Sequence, residues 1–342
     1  MNISVRKVII YIALTVILAS LIPLVFIYTT KKQQPSVSNQ TPANKEKLIL
    51  GFSQIGSESA WRSRNTESIF EAAEANDIQI LFDDAQQKQE NQLKAIRSFI
   101  VYQVDVIAFV PIVEDGWDNV LQEAKEAGIP VILVDRQINT NSDLYAGFLG
   151  EDGNTEGKLA AEYLVKKCAD KENKINILEF SGTANSSVVR KRAEGFREVI
   201  KDYPKFEIIH SEDGDFLRSR GKEIMDRILL ENQGLFINEK PIDVIYSHND
   251  SMTLGILDSF EKNNISPDDV IIISIDGEQK SIDALTQGKL NCVVECNPNL
   301  GPLLMNLIKD VAEGKEIPPV TYMNETVFTE DDDFSQYTPR GY

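Results

Sequence analysis

From Leu48 onward, short apolar runs alternate with stretches of helical periodicity, and this alternation restricts the possible folds more than any other feature of the chain. The runs have the length and the β-branched or aromatic content of buried strands. They form two successive sets: Leu48–Ser53, Gln79–Asp84, Asp105–Pro111, Pro130–Asp135 and Tyr145–Gly150, then Asn176–Ser181, Glu207–Ser211, Asp243–Ser247, Ile271–Asp276 and Cys292–Glu295. Apolar residues at helical spacing lie between them, for example over Asn91–Tyr102 and Gly157–Lys166. Near-continuous apolar strands separated by helices predict parallel sheets covered by helices on both faces.

The two sets of strands predict an α/β fold with two similar lobes, each built on a doubly wound parallel sheet. A chain of 342 residues has the length for two such domains. In open α/β sheets, ligands bind outside the carboxyl ends of the strands. We therefore expect a binding cleft where the strand ends of the two lobes face each other.

The N-terminal segment has the pattern of a membrane-spanning helix. Val8 to Tyr28 form a predominantly apolar run with basic residues on both sides. At about 1.5 Å per residue, this run spans a hydrocarbon core of about 30 Å. Signal peptides have shorter apolar cores and a small-residue cleavage site, so we interpret residues 1–30 as an uncleaved anchor, with a cleaved signal segment as the alternative. Residues 31–45, rich in Gln, Ser, Pro, Thr and Asn, predict a flexible linker to an extracytoplasmic domain.

Charge and residue counts argue against a nucleic-acid partner, a disulfide and a metal site. The formal net charge of −18 argues against nucleic acid, whose phosphates would be repelled. Of the three cysteines, Cys292 and Cys296 lie four residues apart in a predicted strand, about 13 Å along it. A disulfide requires Cα atoms within roughly 7 Å, so we predict free buried thiols. With only two histidines in the chain, we also predict no metal site.

The dipeptide Asp135-Arg136 is the strongest candidate for a ligand-binding feature. It follows the buried strand Pro130–Val134 and therefore lies at the edge of the sheet where ligands bind. A carboxylate accepts from two neighbouring hydroxyls and a guanidinium donates to two oxygens, which suits a polyol such as a sugar. Trp61, next to Arg62 at a predicted loop-to-helix junction, offers a flat apolar surface for a sugar ring. A capping aromatic is the alternative interpretation of Trp61.

The second set of strands carries a comparable pattern. Asp276 ends the apolar run that begins at Val270, as Asp135 ends its own strand. Asn249 and Glu295 also follow predicted strands, and Arg190 lies beyond the strand ending at Ser181. A lone acid after a strand can simply cap the next helix. Matching acids at matching positions in two lobes favour a shared binding cleft.

The chain lacks the motifs of common enzyme classes. No glycine-rich dinucleotide or phosphate loop, no serine-hydrolase elbow and no zinc-protease motif occurs in it. Asp135 and Asp276 could in principle act as a carboxylate pair in glycoside hydrolysis. Their neighbours suit hydrogen bonding to a bound ligand instead. We predict that the protein is not an enzyme and uses no cofactor.

Four stretches resemble one family. They are Gly51–Ser59 with Trp61-Arg62, then Asp84–Gln92, Asp135-Arg136 and Val294–Pro298. Together they resemble the periplasmic sugar-binding proteins of bacterial ABC transporters, of the ribose-binding class with the type I fold, and in particular its galactofuranose-binding members. The resemblance implies a hinge of three crossover strands, near Gly150, Cys296 and Asn324. The first lobe would then comprise residues 46–150 plus 297–324, and the second lobe residues 151–296 plus 325–342.

The resemblance also implies roles for individual residues. Ring and hydroxyl contacts in the first lobe would come from Trp61, Arg62, Asp135 and Arg136. Contacts in the second lobe would come from Arg190, Phe216, Asn249, Asp276 and Glu295. The ribose-binding pattern has a glutamine at the last of these positions, so Glu295 counts against ribose as the ligand.

These features predict an extracytoplasmic receptor that closes on a monosaccharide, either galactofuranose or another hexose or pentose. A monomer held at the membrane by its N-terminal helix would deliver the sugar to an ABC transporter permease. The alternative output is a membrane sensor histidine kinase that reads the closed form. A transcription repressor of similar fold would carry a basic helix-turn-helix domain before residue 46, where this chain has an apolar segment.

Overall fold

Two separate sheets, each covered by helices, organise the chain. The computed structural model describes residues 47–342, which form one compact unit. The predicted anchor and linker, residues 1–45, lie outside the described residues. No helix within 47–342 combines the length and apolarity needed to cross a membrane.

The elements follow in chain order: β1 (Ile49–Gln54), α1 (Ala60–Ala75), β2 (Gln79–Asp84), α2 (Gln89–Tyr102), β3 (Val106–Phe109), α3 (Asp118–Glu126), β4 (Val131–Val134), β5 (Gly147–Gly150), α4 (Gly153–Lys167), β6 (Ile175–Ser181), α5 (Ser187–Ile200), β7 (Phe206–Asp213), α6 (Arg218–Asn232), β8 (Phe236–Ile237), β9 (Lys240–Pro241), β10 (Val244–Ser247), α7 (Asp250–Asn263), β11 (Ile271–Asp276), α8 (Gln279–Thr286), β12 (Cys292–Glu295), α9 (Gly301–Ala312), β13 (Val320–Tyr322) and β14 (Val327–Thr329). Each strand predicted from the sequence is present, with ends shifted by a few residues at most.

The first sheet has the order β13-β5-β4-β3-β1-β2, and all of its strand pairs are parallel. The second has the order β14-β12-β11-β10-β6-β7 and is parallel except at its edge, where β14 runs antiparallel to β12. We call the first sheet with α1, α2, α3 and α9 the first lobe, and the second sheet with α4 to α8 the second lobe. The predicted α/β architecture with parallel sheets is confirmed, and the antiparallel strand β14 and the β8–β9 hairpin are additions to it.

Burial along the strands follows their position in the sheets. The interior strands β3, β4 and β5 are buried at every residue, because helices cover both faces. The edge strands β2 and β7 are largely half-buried or exposed. Continuous apolar runs therefore mark the interior strands. The short strands β13 and β14 have no such run, since edge strands need fewer apolar residues.

Within residues 47–342 the chain passes between the two sheets three times. It leaves the first sheet after β5, returns after β12, and crosses again between β13 and β14. The last connection has only four residues between strands. After it, β14 runs antiparallel to its neighbour β12.

Two glycines allow the backbones of α4 and α5 to touch. A Cβ atom at Gly157 would lie 2.1 Å from the carbonyl oxygen of Arg192, and one at Gly195 would lie 2.0 Å from that of Asn154. Only hydrogen fits at these positions. The close approach brings Glu156 on α4 within reach of Arg192 on α5, and Arg192 lines the cavity described next.

Candidate functional site

The carboxyl ends of both sheets face the same cavity between the lobes. Its lining includes charged, aromatic and apolar side chains from both lobes and from the crossover after β12: Glu58, Ser59, Trp61, Arg62, Asp135, Arg136, Val188, Arg192, Phe216, Asn249, Asp276 and Cys296. The structure therefore brings seven of the nine predicted site residues to one cavity. Arg190 and Glu295 do not line it.

The two strand-end acids have backbone conformations that few residues adopt. Asp135 has φ of 62° and Asp276 has φ of 126°. The N–H of Arg136 donates to the carbonyl of Val134 at 2.6 Å, so the chain reverses tightly at Asp135. Such strain persists where the surrounding structure imposes it, often at binding sites. Here it turns both carboxylates into the cavity.

In the first lobe, Asp135 lies between two buried arginines. Arg62 donates from Nη2 to Asp135 Oδ2 at 2.6 Å and from Nε to Glu58 Oε1 at 3.0 Å. Arg136 donates from Nη1 to the carbonyl of Ile112 at 3.2 Å. Arg62 Nη1 and Arg136 Nε are buried and have no hydrogen-bond partner among the described residues. Both donors are therefore available to a bound ligand.

The two arginines differ in their electrostatic environment. Burial disfavours the charge of Arg62, but the carboxylates of Asp135 and Glu58 outweigh this and raise its pKa. Burial and the nearby charge of Arg62 lower the pKa of Arg136 to about 10. Both groups are therefore protonated at neutral pH. The carboxyl group of Asp135 lies within 4 Å of both guanidinium groups.

In the second lobe, Arg192 on α5 lines the cavity and also contacts Glu156 on α4. It donates to Glu156 from Nε at 2.6 Å and from Nη2 at 3.1 Å, and it also donates to the carbonyl of His248. Its Nη2 lies 3.9 Å from Asp276 Oδ1. Burial raises the pKa of Asp276 well above its usual value, although Arg192 opposes the shift. Asp276 is thus a buried carboxyl group facing the cavity.

The buried side chain of His248 forms a hydrogen bond with the carboxylate of Glu179. Glu179 accepts from His248 Nε2 at 3.2 Å and from Arg197 at 2.6 Å. The backbone carbonyl of His248 in turn accepts from Arg192. Arg192 at the cavity, with Glu156 and Glu179 in the network beside it, was not predicted from the sequence. Only the adjacency of basic residues around Arg192 gave any signal of it.

Asn249 has a structural duty as well as a place in the cavity wall. Its Oδ1 accepts from the N–H of Met252 at 3.0 Å and caps α7. Its Nδ2 donates to the carbonyl of Phe216 at 3.2 Å. Both polar ends of the amide therefore hold the wall of the cavity in place.

Two aromatic rings belong to the cavity, one from each lobe. The guanidinium of Arg62 lies 4.6 Å from the centre of the Trp61 ring, and that of Arg136 lies 5.4 Å from the centre of the Phe216 ring. Trp61 Nε1 donates to the carbonyl of Cys296 at 2.6 Å, which fixes the indole against a crossover segment. Both rings line the cavity, and their contact with a sugar face stays a prediction.

The structure does not place Arg190 at the cavity. Its side chain is 48% exposed and pairs with Glu114 and Glu194, outside the cavity. The cavity is lined by Arg192 instead. Two residues along a helix correspond to a rotation of about 200°, so Arg190 and Arg192 lie on opposite faces of α5.

The structure does not place Glu295 at the cavity either. Its carboxylate pairs with Arg340 near the C-terminus, and it does not line the cavity. Side chains alternate between the faces of a strand, so the next residue, Cys296, reaches the cavity instead. Glu295 therefore gives no structural reason to exclude ribose.

The Phe216 ring occupies the space above Gly182. A Cβ atom at Gly182 would lie 2.0 Å from Cζ of Phe216. We expect Gly182→Ala to displace this ring and weaken ligand binding about tenfold, the upper worth of an aromatic contact. Titration calorimetry measures this effect. In the matched control Gly214→Ala, the new methyl group would meet Met252 Sδ, 2.5 Å away in the core, and we expect lower thermal stability with unchanged affinity. If Gly182→Ala binds the ligand as tightly as the parent protein does, the Phe216 ring does not contribute to binding.

The chemistry of the cavity is that of recognition. Buried guanidinium donors and carboxyl groups from both lobes line the cavity together with two aromatic rings. Among residues 47–342 no group of three or more His, Cys, Asp or Glu side chains is arranged to hold a metal ion. The three cysteines are free and buried, as predicted.

Comparisons with known proteins agree on one kind of protein. The model of the periplasmic binding protein domain family matches residues 50–316. The chain is 40% identical over 288 residues to the galactofuranose-binding protein YtfQ of Escherichia coli (strain K12), which covers 83% of this chain and 88% of that protein.

Two solved structures are similar over the same part of the chain. A protein from Mycobacterium smegmatis in complex with β-D-fucofuranose has a TM-score of 0.79 and 42% identity, with 83% of this chain and 91% of that chain covered. The periplasmic binding protein component of the arabinose ABC transporter from Shewanella sp. ANA-3, bound to α- and β-L-arabinofuranose, has a TM-score of 0.77 and 37% identity, with 83% and 92% covered.

Proposed function

The chain belongs to the family of periplasmic binding protein domains, and on this premise we propose that it is a receptor that closes its two lobes on one furanose sugar and delivers it to an ABC transporter permease. Membership of the family confirms the resemblance found in the sequence. It also implies an extracytoplasmic location. The relatives are binding proteins and not enzymes, which confirms the prediction that this chain is not an enzyme.

The cavity is the observation that carries the proposal. Its lining combines charged and aromatic side chains from both lobes, as a site for a small polar ligand requires. The free donors of Arg62 and Arg136 and the carboxyl groups of Asp135 and Asp276 can form hydrogen bonds with the hydroxyl groups of a sugar. The relatives named above carry galactofuranose, fucofuranose and arabinofuranose in their descriptions, which supports a furanose ring for this chain.

Closure of the lobes gives the receptor its output. We propose the lobe boundaries expected from the sequence, 46–150 with 297–324 and 151–296 with 325–342. The three passages of the chain between the sheets support these boundaries. A sugar that contacts both lobes stabilises the arrangement in which they meet, and a hinge equilibrium shifts accordingly.

Delivery to a permease is the output that we propose for a monomeric receptor, and membrane attachment through residues 1–30 is part of the same proposal. Reconstituted transporter with the liganded receptor should hydrolyse ATP faster than with the receptor alone. The sensor alternative expects instead that the liganded receptor changes autophosphorylation of a membrane histidine kinase. Stimulation of the kinase without stimulation of any permease would replace the proposed output.

A thermal-shift screen of the full chain tests ligand binding. Galactofuranose, arabinose, ribose and fructose, each at about 100 times its dissociation constant, would add about 2.7 kcal/mol to the free energy of unfolding if bound. We expect a raised melting temperature with sugars that form furanose rings, and an unchanged sugar after incubation. Consumption of the sugar would point to an enzyme, and the absence of any shift would contradict a sugar receptor.

A further inference from the structure

An ion pair outside the cavity joins the two lobes. Glu114 lies in the loop after β3 of the first lobe, and Arg190 lies on α5 of the second lobe. Arg190 Nη2 is 2.8 Å from Glu114 Oε1, and its Nε is 3.1 Å from Glu114 Oε2. This two-point contact is the strongest geometry for an arginine and a carboxylate. Neither residue lines the cavity, so the pair does not serve ligand contact.

Backbone contacts reinforce the same junction. The N–H of Glu114 donates to the carbonyl of Asn185 at 3.0 Å, across the two lobes. A short distance away, the N–H of Gln137 in the first lobe donates to Ser187 Oγ in the second at 2.8 Å. Loops that follow β3 and β4 therefore meet the start of α5. Separation of the lobes would break all of these contacts together.

Arg190 is held ready for its partner within its own lobe. Glu194, one turn further along α5, accepts from Arg190 Nη1 at 3.0 Å. This bond leaves Nε and Nη2 directed at Glu114. The Glu114 side chain is only 16% exposed, so water solvates its carboxylate poorly. The ion pair with Arg190 therefore stabilises it more than it would a fully exposed carboxylate.

We propose that Glu114 and Arg190 form a latch, which sets the affinity and the residence time of the ligand without touching it. The inference rests on the proposed function, since it describes how the receptor holds its sugar. The apparent affinity of a two-state receptor scales with the population of its binding-competent arrangement. A contact made only when the lobes meet raises that population. Arg190 is accordingly a positioning residue, and Arg192 is the arginine that faces the ligand.

The variant Arg190→Gln tests the latch, with Arg97→Gln as matched control. Arg97 forms an equivalent two-point pair with Glu123, at the same side-chain exposure of 48%, but within the first lobe. We expect Arg190→Gln to raise the dissociation constant and the dissociation rate for a furanose about twofold to fivefold, as for a partly exposed ion pair. The control should change neither. Arg190→Lys should restore part of the loss.

Two further measurements distinguish a latch from a general structural effect. High salt should weaken binding to the parent more than binding to Arg190→Gln. The double variant with Glu114→Gln should bind no more weakly than either single variant, because the two residues act through one contact. Unchanged dissociation in Arg190→Gln, additive losses in the double variant, or an equal loss in Arg97→Gln would each overturn the latch.

Failure of the latch and failure of sugar binding have different signatures. If the parent binds no furanose, the proposed function fails. The latch is then judged by small-angle scattering of the full chain without sugar. The latch predicts a larger radius of gyration for Arg190→Gln than for the parent and Arg97→Gln. Equal radii in all three would overturn it.

Discussion

Replacing Asp135 with asparagine is expected to weaken furanose binding by about 30-fold to several thousandfold. The substitution removes the negative charge shared by Arg62 and Arg136, and loss of one partner of a buried charge pair costs about 2–5 kcal/mol. Asparagine tolerates the left-handed backbone that Asp135 adopts, so the variant tests charge and not strain. Arg62 keeps Glu58 as a partner, and we therefore expect the variant to remain folded.

Titration calorimetry measures this loss, and circular dichroism verifies the fold. Asp258→Asn is the matched control, because Asp258 forms a two-point pair with Arg218 on the surface of the second lobe, away from the cavity. Its affinity should equal that of the parent. If Asp135→Asn binds the sugar as tightly as the parent does, the cavity is not the binding site.

The free energy of unfolding is expected to fall as the pH rises from about 7 to about 9. The side chain of Glu151 is only 6% exposed, and neither of its carboxylate oxygens has a hydrogen-bond partner among the described residues. Burial and the charges of Asp135, Glu156 and Glu325 raise its pKa well above the usual value. Burial and the charge of Glu156 raise the pKa of Glu325 to about 9. Both glutamates adjoin crossover segments of the chain.

The direction of this effect follows from proton binding. Glutamate in the unfolded chain titrates near about pH 4.3, so between that pH and about 9 the folded state holds protons that the unfolded state has released. Stability is therefore lost as the pH rises. His248 acts in the opposite direction, because burial lowers its pKa, but it is neutral in both states above about pH 7.5.

Chemical denaturation at a series of pH values tests this account. Glu325→Gln and Glu151→Gln should both flatten the alkaline decline, since neither amide titrates. Glu74→Gln, an exposed position on α1, should retain the slope of the parent. A parent whose stability is constant or rises from pH 7 to 9 would show that these glutamates are ionised in the folded protein.

Strand positions could be predicted from the sequence because interior strands of parallel sheets are apolar along their whole length. The same reasoning placed Asp135 and Asp276 at the cavity, since carboxyl ends of parallel strands share one edge. The positive φ angles of both acids could not be predicted, because tertiary contacts impose them. Strands β13 and β14 were not identified, since they are short edge strands without an apolar run.

Arg190 and Glu295 show that the sequence alone does not tell which side chain of a stretch faces the cavity. Arg190 and Arg192 lie in one basic stretch, and only the rotation of α5 relative to the sheet decides which of them faces the cavity. Glu295 and Cys296 raise the same question for a strand. The partners of Arg190 and Glu295, which are Glu114 and Arg340, are distant in the chain. Such long-range pairs carry no local sequence signal.

The most direct test of the central claim, that the cavity between the lobes binds one furanose, is titration calorimetry of the full chain with L-arabinose. In solution this sugar is mostly pyranose, with furanose rings as a minor component. The proposal predicts saturable binding of arabinose, with an apparent affinity reduced in proportion to its furanose fraction, and no heat with a locked methyl arabinopyranoside. Saturation by the locked pyranoside would contradict furanose recognition, and the absence of heat with arabinose, galactofuranose and fructose alike would contradict a sugar receptor.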